Sequence, residues 1–145
     1  MILKIAFLLL GSAALAIGGM IFVIGPQPTG QLFAGVLRMI WPDVSPLVAL
    51  GGADVDSEMR FYAVLWMAYG SIGLWVARAL PQRIVLLRLM LFIFLLGGVG
   101  RAISYFVVGA PHLLFVVLMW IEIVLPSVLM LLSLTLGRPR SVTAE

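Results

Sequence analysis

Residues 5–24 form an apolar run of membrane-spanning length that contains no charged residue, and three further apolar stretches follow it. A helix of about 20 such residues crosses the roughly 30 Å hydrocarbon core of a bilayer. Within lipid every backbone N–H and C=O must find its partner inside the chain, which leaves helices as the economical solution for segments of this kind. Composition agrees, because 63% of the 145 residues are hydrophobic and only 10% are charged, with a mean hydropathy of +1.22. A soluble domain of that length needs far more polar surface. The pattern therefore predicts an all-α integral membrane protein, a single membrane domain built as a bundle of four transmembrane helices. Its spans fall at about residues 3–24, 57–80, 84–108 and 113–136, with an outer loop at 25–56 and a tail at 137–145.

Lys4 directly precedes this first run, and an Ala14-Leu15-Ala16 triplet within it loosely resembles a leader cleavage site. The run's length exceeds that of a leader's apolar core, so it is expected to remain as a span. Gly25-Pro26, Pro28 and Gly30 end it. In the loop, Leu32 to Trp41 is too short to cross a bilayer and reads as a short interfacial helix, with Arg38 and Trp41 at headgroup depth. Asp54, Asp56 and Glu58 then precede the second span and fit a solvated helix N-terminus capped by Asp56 or Ser57 better than a calcium loop. If the spans alternate, Lys4, Arg78, Arg83, Arg88, Arg138 and Arg140 share one side, and Asp43, Asp54 and Asp56 the other. Basic residues concentrate on the cytoplasmic side, so both termini are expected there and the long loop outside. The net charge of +3 and pI near 10.0 are explained by this topology and do not imply nucleic-acid binding.

An ionised side chain inside a span costs about 2.5–3.5 kcal/mol on insertion scales, so those present need a partner or a task. Arg101 lies within the third span and Glu122 within the fourth. These spans are antiparallel neighbours across a short turn, which puts both residues roughly 10–15 Å below the outer helix ends at 1.5 Å per residue. An Arg101–Glu122 ion pair buries both. Glu58 and Arg60 open the second span, and Glu58, Tyr62, Trp66, Tyr69, Gly70 and Gly73 follow one another around a helical face. Gly97, Arg101 and Tyr105 share a face of the third span with Ser104 beside them. Pro126 removes the hydrogen bond to the Glu122 carbonyl. The expected ligand-binding set is thus Glu58, Arg60, Tyr62, Trp66, Arg101, Tyr105 and Glu122, with His112 at the rim. The competing explanation is structural, since buried charge pairs also fix helix register.

One histidine and no cysteine leave little for zinc or haem, so no metal or cofactor is expected. Gly97-Gly98-Val99-Gly100 sits inside an apolar helix and reads as a packing face, not a phosphate loop. Gly11, Ala14 and Gly18 form a similar face on the first span. No nucleophile–base constellation is legible and no catalytic residue is assigned.

Three segments together resemble the bacterial four-helix membrane-protein family catalogued as domain of unknown function 4345. They are Asp56-Ser57-Glu58-Met59-Arg60-Phe61-Tyr62, Gly97-Gly98-Val99-Gly100-Arg101, and Glu122 with Pro126. The resemblance runs from the first helix to Leu136. It implies a compact four-helix bundle in the bacterial cytoplasmic membrane with Glu58, Arg60, Arg101 and Glu122 as its polar core, and it implies no activity. The first expectation for function is binding of a membrane lipid or small amphiphile at that polar core. The alternative is an accessory or assembly subunit of a larger membrane protein complex, with structural charges. A third is a small enzyme or a proton-coupled transporter with Glu122 as the titrating group; four spans and no visible repeat weigh against the transporter unless the protein oligomerises.

Overall fold

The structure is a computed structural model that describes residues 1–135. The expected tail at 137–145, with Arg138 and Arg140, lies outside the described residues. Five helices follow in order: α1 Ile2–Ile24, α2 Pro26–Ile40, α3 Ala53–Arg78, α4 Ile84–Val107 and α5 Leu113–Thr135. No strand occurs among the described residues. Ile2–Ile24, Ile84–Val107 and Leu113–Leu134 are long and apolar enough to cross a membrane, which marks the chain as a membrane protein. Their outward faces carry large apolar side chains, such as Leu9, Leu89, Phe106 and Leu131, that lipid would cover.

The Gly/Pro cluster ends α1 as expected but also starts a helix, and this corrects the sequence expectation. Gly25 has φ of +92°, a conformation that favours glycine, and turns the chain sharply between two helices. Pro26 then occupies the first position of α2, where a missing N–H costs nothing and the fixed φ is already helical. Pro28 and Gly30 fall in the first turns. The short helix is therefore 15 residues starting at Pro26, not the ten-residue segment from Leu32, and at about 22 Å it still cannot span a bilayer. It buries Thr29, Gly30, Ala34 and Leu37 and exposes Leu32, Val36, Met39 and Ile40.

The start of α3 also differs. It begins at Ala53, with Gly52 at the cap and no side-chain capping bond, so neither Asp56 nor Ser57 is the cap. Asp54 and Asp56 instead stand in the first turn, where the helix dipole favours negative charge.

Two tight pairs build the bundle. α1 packs along α3 through glycines: a Cβ on Gly70 would lie 2.6 Å from the Gly11 carbonyl oxygen, and one on Gly18 would lie 2.9 Å from the carbonyl oxygen of Ala63. α4 packs along α5, with Gly98 pressed against Ile123 and the Glu122 backbone. The pairs meet at the Pro81 end, where Leu3, Phe7, Val76, Ala77, Leu87, Met90, Leu91 and Leu129 form one buried core. There Arg88 donates from Nε to the Ser133 hydroxyl (3.1 Å) and from Nη2 to the Ser133 carbonyl (2.9 Å). At the opposite end α2 and the segment after it close over the start of α5. Leu47 is fully buried among Ala34, Leu37 and Leu114. Gln27 clamps this segment, donating to the Leu47 carbonyl and accepting from the Leu50 N–H.

Candidate functional site

α3 and α4 follow each other across the Pro81 turn, yet they barely touch beyond it. Nine residues before the end of α3 the Tyr69 hydroxyl donates to the Met90 carbonyl at 2.8 Å and ties the two helices together. Above this tie they diverge, leaving a cleft of about 860 Å³. Tyr62, Leu65, Trp66 and Tyr69 form its α3 wall. Ile93, Phe94, Gly97, Gly100, Arg101 and Ser104 form its α4 wall, and Glu122 reaches in from α5. Size and lining fit the range of about 300–1,000 Å³ and the apolar character of small-molecule sites.

The packing of α4 on α5 sets the charge pair. With no side chain at Gly98, the two backbones close until Arg101 Nε lies 2.7 Å from Glu122 Oε2. Glu122 is almost fully buried, with 6% of its side chain exposed, against 34% for Arg101. The pair is joined by one N–H···O contact. Arg101 Nη1 and Nη2 have no hydrogen-bond partner among the described residues, and the guanidinium lies 5.7 Å from the Phe115 ring centroid. Five donors on a fixed fork, only one of them engaged, leave Arg101 able to bind a further acceptor.

A second cavity of about 360 Å³ lies beneath α2, bounded by Ala14 and Ile17 of α1, Thr29 and Phe33 of α2, and Phe115 and Leu118 of α5. It shares Trp66, Tyr69, Phe94, Arg101 and Glu122 with the cleft. The three rings contact one another edge-on or tilted, with centroids 6.2–6.3 Å apart. The Arg101–Glu122 pair and this aromatic cluster therefore stand between the two spaces.

Four residues of the expected set, Tyr62, Trp66, Arg101 and Glu122, gather in the cleft. The other three do not. Arg60 is committed elsewhere: Nε lies 2.7 Å from Asp56 Oδ2, and Nη1 donates to the Phe22 carbonyl at 2.5 Å. It neutralises the first turn of α3 and satisfies a carbonyl left open at the end of α1. Gly25 sits against this pair so closely that a Cβ would lie 2.9 Å from Arg60 Nη2. Glu58 is exposed and lines neither cavity. Tyr105 also lines neither, and its ring packs edge-on against Phe106 at 5.5 Å.

His112 works at the rim. Its Nδ1 accepts from the Leu114 N–H at 3.1 Å, which caps α5. That assigns the proton to Nε2, which lies 2.8 Å from the Ser45 carbonyl and so fastens the segment after α2 to the bundle. Of the cleft residues outside the expected set, Tyr69, Gly97 and Ser104 were placed on or beside the same helical faces, whereas Leu65, Ile93, Phe94 and Gly100 were not. Phe94 could have been found, since 94, 97 and 101 recur at the three- and four-residue spacing of one helical face.

A family model described as "Domain of unknown function (DUF4345)" matches residues 2–133 of the chain. No curated protein and no solved structure matches it.

Proposed function

The chain belongs to the family of domain of unknown function 4345, and from that premise we propose that it is a membrane protein that holds a lipid-like amphiphile in the cleft between α3 and α4. In this proposal four helices, α1, α3, α4 and α5, cross the bilayer, with both termini cytoplasmic. α2 lies in the outer interface with Leu32, Val36, Met39 and Ile40 toward lipid. The distribution of Lys4, Arg78, Arg83 and Arg88 against Asp43, Asp54 and Asp56 supports that orientation. The location that goes with it is the cytoplasmic membrane of a bacterium.

One observation carries the binding role: a charge pair of buried Glu122 and half-buried Arg101, with unused donors, stands at the wall of a largely apolar cleft. An ion pair serving packing alone gains most when all its donors and acceptors are satisfied and apolar side chains seal it. Here Arg101 retains two unpartnered nitrogens beside about 860 Å³ of space. An amphiphile would place its head against Arg101 and its tail along Leu65 and Ile93.

The test is native mass spectrometry of the full chain extracted in mild detergent. The wild type is expected to carry one amphiphile per chain. The double variant R101M/E122Q, which removes both charges together and so strands neither, is expected to fold and to lose that mass. A bare wild-type chain across several mild detergents overturns the proposal.

A further inference from the structure

Resting on the binding role just proposed, we infer that the head group taken by the cleft is uncharged, flat and carbonyl-bearing, the chemistry of a lipid quinone. Three features of the cleft select it.

Depth comes first. Arg101 lies six residues before the end of α4 and Glu122 nine residues after the start of α5, about 9 and 14 Å along their helices. A head at that level sits beneath the phosphate plane of a bilayer and must shed most of its water. Large hydrated heads such as phosphodiesters and sugars fit poorly there, because each unsatisfied polar group costs several kcal/mol in hydrocarbon.

Charge is the second feature. Arg101 and Glu122 already neutralise each other at 2.7 Å. A bound anion would leave the site with a net negative charge in a low-dielectric setting and compete with Glu122 for the guanidinium. A bound cation would face Arg101. A neutral acceptor adds hydrogen bonds without upsetting that balance. Arg101 Nη1 and Nη2 and the Trp66 indole N–H have no partner among the described residues, and a carbonyl, which only accepts, would meet these donors; Glu122 Oε1 and the Tyr62 and Ser104 hydroxyls are also without a partner there and could accept.

Shape is the third. Gly97 and Gly100 leave the α4 wall bare beside Arg101; a Cβ on Gly100 would meet nothing within 4 Å. Trp66 and Tyr69 face this strip across the cleft. A smooth backbone surface opposite aromatic faces suits a ring that stacks, whereas a branched glycerol ester would fill such a slot unevenly. The apolar tail then continues past Leu65 and Ile93.

Three probes of matched tail length separate these chemistries on the full chain in detergent: decyl-benzoquinone, methyl dodecanoate and sodium dodecanoate. Quinone binding is read directly as quenching of tryptophan fluorescence, the part lost in W66F reporting the cleft, and the other two by competition against it. The quinone is expected to bind about tenfold or more tighter than either competitor, and R101M/E122Q to weaken it by about tenfold, the loss of one charge-assisted hydrogen bond. R101K, which keeps a positive charge beside Glu122 but not the guanidinium fork, is expected to weaken it similarly. Equal or tighter binding of dodecanoate or the ester, or unchanged quinone affinity in R101M/E122Q, overturns the assignment of the head group while leaving an amphiphile site standing. Failure of all three probes to bind overturns the amphiphile proposal as well.

Discussion

Two seams of this bundle are built from the same kinds of residue and behave in opposite ways. Between α1 and α3, Gly11 faces Gly70 and Gly18 faces Ala63, and the backbones approach until a Cβ on Gly70 would stand 2.6 Å from a carbonyl oxygen. Between α3 and α4, Gly97 and Gly100 face Trp66 and Tyr69, and the helices stay apart. Where the opposing backbone is bare at the same level, as at Gly11 and Gly70, glycine lets the seam close. Opposite an aromatic side chain, it leaves a slot. The open seam is also where the one membrane-depth ion pair stands among the described residues, so the site arises from the part of the bundle that does not close.

The contrast can be broken by substitution, and the largest effect is expected at the charge pair. R101A strands the Glu122 carboxylate, which is 6% exposed, and should cost about 3 kcal/mol, near the lower end for a broken buried pair because Arg101 itself is partly exposed. R101M/E122Q should recover most of that loss in unfolding titrations. If the single variant is as stable as the double, the pair is solvated and Glu122 is not a buried charge that needs Arg101. Next comes G70A. Its methyl has no room against Gly11, and overpacking of this kind costs about 1–3 kcal/mol. Y69F removes the hydroxyl tie to Met90 and should lower stability by about 1 kcal/mol, visible as a modest drop in melting temperature. Smallest is G100A, whose methyl meets nothing. Better helix propensity should leave it neutral or stabilised by up to about 1 kcal/mol. Similar losses in G70A and G100A would erase the distinction between the seams.

Much of this was legible in the sequence, and the exceptions have physical causes. The ends of α1 and of the α3–α4 turn follow from Gly25, Pro26 and Pro81, because these residues disrupt a helix whatever surrounds them. The Arg101–Glu122 pairing follows from two antiparallel helices across a short turn. Arg60 lies away from the cleft because it pairs with Asp56, four residues earlier, and with a carbonyl at the end of α1; the first partner is legible in the sequence, but a backbone acceptor leaves no mark on it. α2 was shortened because proline and glycine read as terminators, although at a helix's first turn they are compatible with starting one. The separation of α3 from α4 was invisible for a different reason. Adjacency in sequence predicts contact, and only the side chains facing each glycine decide whether it happens.

The most direct test of the central claim, that the cleft between α3 and α4 holds an amphiphile, is photolabelling of the full chain by an apolar-tailed probe carrying a diazirine on its head, followed by peptide mapping. Labels should concentrate on the facing walls around Trp66, Phe94 and Arg101. They should fall sharply in G100F, whose Cβ has open space around it and whose ring would occupy the slot. Labelling spread evenly over lipid-facing positions such as Leu9, Leu89 and Leu131, unchanged in G100F, would contradict the claim.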